Sequence, residues 1–399
     1  MTMTEPTTSK PVGMRRGLTL LFAIAGGAAV GNLYWAQPLL GLIAATFHIS
    51  TAAAGMVVTV TQVGYALGVF FLVPLGDIVY RKRVFPGLMI LTAVFLAATA
   101  LAPTFSVLLV ALALTGATTV AGQFLTPLAG DLASDEERGR VLGTVASGLI
   151  LGLLISRAIS GIVADLLGWR AIFFIAGAIV VVLALVMARR LPVLEPRERV
   201  GYGSLLASVL RTFAGNRTVR ITTLIGALTM CVFTMFWTGL TFLLAADPFS
   251  FSATQIGLVS LIGIAGAFAA QRVGRLYDRG LSLPGIAVGL LVVLAGLVMS
   301  GLGASSIAAV LVSIAVFSIG LQAVQVLVQT RMLSIDPAAR SRLNTVIVVG
   351  NFIGGAIGST LAGSFWPLGG WPVLMIAAAC VVGIALTIWL VHRTRALAA

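Results

Sequence analysis

The sequence predicts an all-α membrane protein whose twelve transmembrane helices form two parallel six-helix repeats. Three observations carry this: a shortage of charge, apolar runs of bilayer length, and a match between the two halves of the chain. Of the 399 residues, 59% are hydrophobic and 9% charged, and the mean hydropathy is +1.10. A soluble domain carries about 25% charged residues, because water must solvate its surface. Water is therefore not the main solvent of this chain.

A helical crossing takes about 20 apolar residues. Runs of that length lie at 17–46, 52–76, 84–102, 105–130, 141–164, 169–188, 220–245, 254–273, 282–302, 306–332, 343–366 and 371–391. Several contain Gly or Pro, tolerated in membrane helices because neighbours satisfy the freed backbone groups. The first, fourth and tenth runs exceed one crossing, so tilt or protrusion is expected. The first is also too long for a signal-peptide core and is read as a retained span. Cys231 and Cys380 fall inside apolar runs and read as buried small hydrophobes, not a disulfide.

The basic residues orient the spans. The net charge is +13, yet short basic clusters alternate with apolar runs instead of covering one soluble face, which argues against nucleic acid as a partner. With the N-terminus cytoplasmic, 23 of the 25 Lys and Arg fall on one side. They lie at the N-terminus (Arg15, Arg16), after span 2 (Arg81, Lys82, Arg83), after span 4 (Arg138, Arg140), along Arg189 to Arg220, and in the later loops and tail. Only Arg170 falls opposite, and Arg157 lies within span 5. The positive-inside rule then puts both termini in the cytoplasm of a multi-pass inner-membrane protein.

The halves align at an offset of 202 residues. Trp35 matches Trp237, Gly55 matches Gly257, Arg138 and Arg140 match Arg340 and Arg342, and Gly168–Trp169 matches Gly370–Trp371. Gly148, Gly152 and Gly161 match Gly350, Gly354 and Gly363. Six spans per half is an even number, so the repeats are parallel. The expected organisation is an N-terminal tail (1–16), a first bundle (17–188), a basic linker (189–219), a second bundle (220–391) and a C-terminal tail (392–399). Such a pair suits rocking about a site held midway between the bundles. Within the linker, Tyr202 to Phe213 reads as a helix lying along the membrane surface.

With these loops in view, nearly the whole chain resembles the major facilitator superfamily. That family carries a signature of the form G-x-L-x-D-R-x-G-R-K between spans 2 and 3 and a degenerate copy between spans 8 and 9. The first copy here, PLGDIVYRKR, keeps Asp77, Arg81 and Lys82 but has Val73 for the opening Gly. The second keeps Gly274, Asp278, Arg279 and Gly280. The resemblance implies a gating role for Asp77, Arg81, Gly274, Asp278 and Arg279, through ion pairs made in one state and broken in another; surface pairs alone are worth little. The run NLYWAQPLL, from Asn32 to Leu40, is similar to bacterial drug–proton antiporters and related exporters. It implies alternating-access efflux of a drug or metabolite, coupled to protons.

The residues themselves leave coupling and direction open. None of the 12 acidic residues lies near the centre of a span, and span 1 offers Asn32, Tyr34 and Gln37, which bind ligands but do not exchange protons near neutral pH. The relatives' span-5 pattern G-x-x-x-G-P-x-x-G-G keeps Gly148, Gly152 and Gly161 here but lacks the Pro. Arg157 falls in that region. An Arg at the bilayer centre costs about 3 kcal/mol or more, so it faces a cavity or finds partners. It binds an anion or serves the conformational cycle, or else it is structural and bonded to carbonyls, Ser156 and Ser160.

Other cavity candidates are Gln62 and Tyr65 in span 2, Gln123 in span 4, and Trp237 with Thr238 in span 7. In span 10, Gln322, Gln325 and Gln329 recur at helical spacing and share one face. Helix–helix hydrogen bonding competes with substrate binding for each. Gly148-x-x-x-Gly152 and Gly350-x-x-x-Gly354 read as close-packing sites, placed by the resemblance at the seam between halves. No P-loop, zinc-hydrolase or nucleophile-elbow pattern occurs, so no enzyme activity, cofactor or metal is expected. The expected partners are a small-molecule substrate, the lipid bilayer and, through the resemblance, protons, with the monomer as the working unit. Facilitated diffusion or uptake of an anionic metabolite is the second reading, and a membrane sensor without transport is the alternative of another class.

Overall fold

A computed structural model describes residues 14–134, 136–192, 201–268, 273, 277, 279–394 and 397, apart from the side chains of Asp77, Arg81 and Arg83. Its described residues form helices joined by turns and short irregular segments, with no strand among them. Helices long and apolar enough to cross a bilayer are Thr51–Leu72, Val84–Leu101, Phe105–Leu132, Arg138–Leu167, Trp169–Arg190, Arg217–Ala245, Ser282–Leu302, Ile307–Ser334 and Pro337–His392. The last holds two crossings, joined at Gly369–Gly370. Shorter apolar helices Arg16–Gly31, Gln37–Phe47 and Ala253–Phe268 supply spans 1 and 8. Large apolar side chains such as Leu166, Leu302 and Ile376 stay exposed on the outer faces, where lipid replaces water as solvent.

Two of the long runs break where tilt or protrusion was expected. Span 1 stops being α-helical after Gly31 and resumes as a short 3-10 turn, Gln37–Leu39, before Leu40–Phe47. Pro38 has no N–H, and its ring would clash with the carbonyl four residues back. Span 4 breaks between Phe105–Thr118 and Ala121–Leu132. There the Thr119 hydroxyl donates to the Ala29 carbonyl of span 1 and accepts from the Asn32 amide.

The repeat is visible as geometry. Gly168 and Gly370, one repeat apart, both take left-handed φ, +83° and +62°, at the turns into spans 6 and 12. A side chain is disfavoured at that φ, so both copies need glycine there. Across the seam, spans 2 and 11 pack together, and so do spans 5 and 8. A Cβ on Gly161 would lie 2.1 Å from the Ala253 carbonyl oxygen, and one on Gly363 would lie 2.7 Å from that of Ala52. Gly257 meets the Arg157 carbonyl as Gly55 meets that of Ser359. These contacts exchange under the 202-residue offset, so a pseudo-twofold axis runs through the seam.

The GxxxG sites pack elsewhere than the resemblance implied. Gly148 abuts Ala23, and Gly152 abuts Gly27, both on span 1. Gly350 meets Thr223, and Gly354 meets Ala227, both on span 7. They join spans 1 to 5 and 7 to 11 inside each bundle. The seam is lined instead by Gly55, Gly161, Gly257 and Gly363, because spans 5 and 11 turn one face to their own bundle and another, further along, to the opposite bundle.

Between the bundles, the linker helix Tyr202–Gly215 lies outside the spans. The Tyr202 hydroxyl donates to the Phe71 carbonyl at the end of span 2. Burial pushes this phenol above its ordinary value, so it keeps the donated proton. Leu210 and Phe213 project exposed from the helix.

Candidate functional site

The centre of the seam is organised around one buried cation. Arg157, on span 5, is 2% exposed. Its guanidinium carbon lies 4.4 Å from the ring centroid of Trp237, 4.9 Å from Tyr34 and 5.6 Å from Phe233. Tyr34 comes from the break in span 1, and Phe233 and Trp237 stand one turn apart on span 7. The cation is thus boxed by aromatic rings of both bundles. A desolvated cation–π contact is worth about 2 kcal/mol, so three of them offset much of the cost of placing Arg within the bilayer.

The box covers the faces of the guanidinium and leaves its edge. Among the described residues, no atom accepts a hydrogen bond from Nε or Nη2. The neighbouring hydroxyls act elsewhere: Ser156 donates to the Leu153 carbonyl and Ser160 to that of Trp35. Arg157 borders two small cavities, of about 30 and 10 Å³. The larger is shared with Phe233, Trp237, Leu321 and Gln322, and the smaller with Gln37, Trp237 and Ser260. Among the described residues lining them, Arg157 is the one charged group. Gln37 is 3% exposed, and its Oε1 has no donor. The repeat offset pairs Arg157 with Ser359, a small residue that donates to the Gly55 carbonyl. The fold thus accepts Ser at this place in one bundle, so helix packing alone does not demand an arginine in the other.

The remaining candidates separate into three groups. Asn32 is committed inside the first bundle, donating to the Thr119 hydroxyl at 3.0 Å and accepting from Trp35 Nε1 at 2.9 Å. Trp35 is therefore a bracket within the bundle, whereas its repeat partner Trp237 covers Arg157. Gln62 and Thr238 are buried, and Gln62 Oε1 and the Thr238 hydroxyl have no hydrogen-bond partner among the described residues. Gln62 faces Gly355 of span 11 across the seam.

Tyr65, Gln123 and Gln329 form a chain on the side of the seam nearer the basic loops. Gln123 Nε2 donates to the Tyr65 hydroxyl at 2.9 Å, Asn344 Nδ2 donates to Gln123 Oε1 at 3.3 Å, and Gln329 Nε2 donates to Asn344 Oδ1 at 3.0 Å. The Asn344–Gln123 bond crosses the seam, and the rings of Tyr65 and Phe352 close it with centroids 4.2 Å apart. Gln325 reaches only the Met230 sulfur, at 3.8 Å. The span-10 stripe is thus shared between the cavity (Gln322), a thioether (Gln325) and the amide chain (Gln329).

Sequence reasoning missed Asn344 and Phe233, and it named Tyr34 as a ligand-binding group of span 1 without placing it against Arg157. Asn344 is the second residue of the span-11 run at 343–366, two past Arg342, and so looks like a solvated helix end. Aromatic residues in an apolar run look like core, and only Phe233 standing four residues before Trp237 hinted at a shared face. At the loops, Arg279 is exposed in a turn, while Gly274, Asp278 and the side chains of Asp77 and Arg81 lie outside the described residues.

Two related helical bundles packed about a buried polar seam define a membrane carrier. Residues 21–335 match the profile of the Major Facilitator Superfamily. The chain belongs to this superfamily and is a transport protein, not an enzyme. It is 40% identical over 372 residues to the uncharacterized transporter YgaY of Escherichia coli O157:H7, covering 93% of this chain and 94% of that one. It is 32% identical to the probable transporter SCO4007 of Streptomyces coelicolor, covering 95% and 88%. A bacterial homologue of the human lysosomal transporter Spinster, crystallised inward-facing and occupied, shares the fold with TM-score 0.73 at 16% identity over 96% of this chain and 97% of that one.

Proposed function

We propose that this chain carries a small organic anion across the bacterial inner membrane by alternating access, with Arg157 as the group that binds it. The supporting observation is the guanidinium edge, buried at the seam between bundles with no acceptor among the described residues. Orphaned donors on a buried charge cost more than about 1–3 kcal/mol. An oxyanion removes that cost, so the site favours charge of one sign.

The anion reading also bears on direction and coupling. No Asp or Glu is among the described residues lining the central cavities. Export does not require one: an inside-negative potential drives a monovalent anion outward with about 2.3 kcal/mol per 100 mV. Efflux, which the resemblance implies, is then electrogenic and needs no proton. The basic loops favour a cytoplasmic location for both termini; in this reading the bundles at 17–188 and 220–391 are joined by the linker at 189–219, and a single copy holds the whole pathway.

The test uses purified protein in liposomes, protein-free liposomes as baseline, and an imposed potassium diffusion potential. Labelled organic anions should follow the potential, and Arg157→Gln should abolish the flux. Flux that follows an imposed pH gradient but ignores the potential would favour proton-coupled efflux instead.

A further inference from the structure

The shape of the site narrows the cargo. We infer that it is a monocarboxylate with a compact apolar body, gripped through the Nε–Nη2 edge of Arg157. This rests on the anion reading above and names its class. Nε–H and the outer Nη2–H of a guanidinium point the same way and match the two oxygens of a carboxylate in a bidentate pair. These are the two nitrogens that lack acceptors among the described residues, while Trp237, Tyr34 and Phe233 cover the cation.

The count of charges fixes the rest. Arg157 is the one charged group among the described residues lining both cavities. A dicarboxylate would bury a second charge without a partner, and an amino acid would bury an ammonium without a carboxylate; both are costly in such surroundings. Leu153, Leu154 and Leu321 make most of the larger cavity's wall apolar, so a hydrocarbon or aromatic body would lie against them once the bundles part and widen this space of about 30 Å³. Gln37 Oε1, unpartnered beside the smaller cavity, offers an acceptor to a hydroxyl carried near the carboxylate.

The experiment is a thermal-shift and calorimetric titration of the purified full chain in detergent. The probes are benzoate, phenylacetate and hexanoate, each against its amide, together with phthalate and benzylamine. At least one acid should bind roughly tenfold or more tighter than its amide, as loss of a charge-assisted pair predicts. Phthalate and benzylamine should not compete. Arg157→Gln should erase the preference of acid over amide, and Arg157→Lys, which keeps the charge but not the fork, should leave an intermediate one.

Equal binding of acid and amide to the native protein overturns the inference, as does failure of all three acids to bind. These readouts need no variant and so do not depend on how Arg157→Gln folds. Carboxylate binding without liposome flux would leave the cargo class standing and remove the transport reading. Flux of organic phosphates or sulfonates without carboxylate binding would do the reverse.

Discussion

Arg157 and Trp237 belong to different bundles, yet the guanidinium carbon of one sits 4.4 Å from the ring centroid of the other. Relative motion of the bundles must therefore separate the cation from its best aromatic partner. A ligand on the free edge can hold the charge while that happens, which couples loading to rearrangement.

Trp237→Ala should lower the thermal midpoint of the native protein more than it lowers that of an Arg157→Leu background. Leu removes the charge but keeps an apolar side chain, so the difference isolates the cation–π contact, worth about 1–2 kcal/mol when desolvated. Equal drops in the two backgrounds would mean that Trp237 is only packing.

Two glycine substitutions should fail in different ways. Gly152 faces Gly27 within the first bundle, whereas Gly161 faces Ala253 across the seam, and a Cβ at either would lie within 2.2 Å of a carbonyl oxygen. Gly152→Val should cost soluble, monodisperse protein in detergent extracts. Gly161→Val should purify normally but lose liposome flux by roughly tenfold or more, since overpacking of about 1–3 kcal/mol falls on seam closure alone. Normal flux in the Gly161 variant would show that this seam opens without closing again here.

The bundles were legible because the bilayer imposes length and charge rules that a linear sequence displays directly, and the duplication repeats them. Arg157 was legible for the same reason, as a charge where lipid forbids one. Its box was not, since Tyr34 and Phe233 satisfy the same apolar pattern whether they face core, lipid or cation. The break in span 1 follows from Pro38, but the break in span 4 depends on Thr119 bonding to span 1, a contact between segments 90 residues apart. The reassignment of the GxxxG sites has a similar cause: spacing shows that a helix face is small, not which neighbour lies against it.

The Asn344–Gln123 bond should act as a modest clasp on the seam. Asn344→Ala removes two hydrogen bonds, one to Gln123 and one from Gln329, together worth about 2 kcal/mol, so the start of span 11 should open up to roughly thirtyfold more often. Trypsin cleavage after Arg340 or Arg342, which needs such local opening, should accelerate by that factor. An unchanged cleavage rate would assign the closure to the Tyr65–Phe352 stack.

At the other end of the seam, a carboxylate of one bundle caps a helix of the other. Ser252 and Gln255 form a reciprocal capping box at the start of span 8, with the Ser252 side chain accepting from Gln255 N and Gln255 Oε1 accepting from Ser252 N. That leaves the Ala253 and Thr254 amides, and the Asp165 carboxylate of span 5 accepts from both, with Oδ2 at 2.8 Å from Thr254 N. Capping acceptors contribute about 0.5–2 kcal/mol, and a negative charge at a helix N-terminus adds to this. Asp165→Ala should therefore speed deuterium exchange of the Thr254 amide roughly tenfold and favour opening at this end. Asp165→Asn keeps an acceptor and should lie much closer to the native rate. If both substitutions accelerate exchange equally, the charge is what matters; if neither does, spans 5 and 8 are held by their glycine contacts alone.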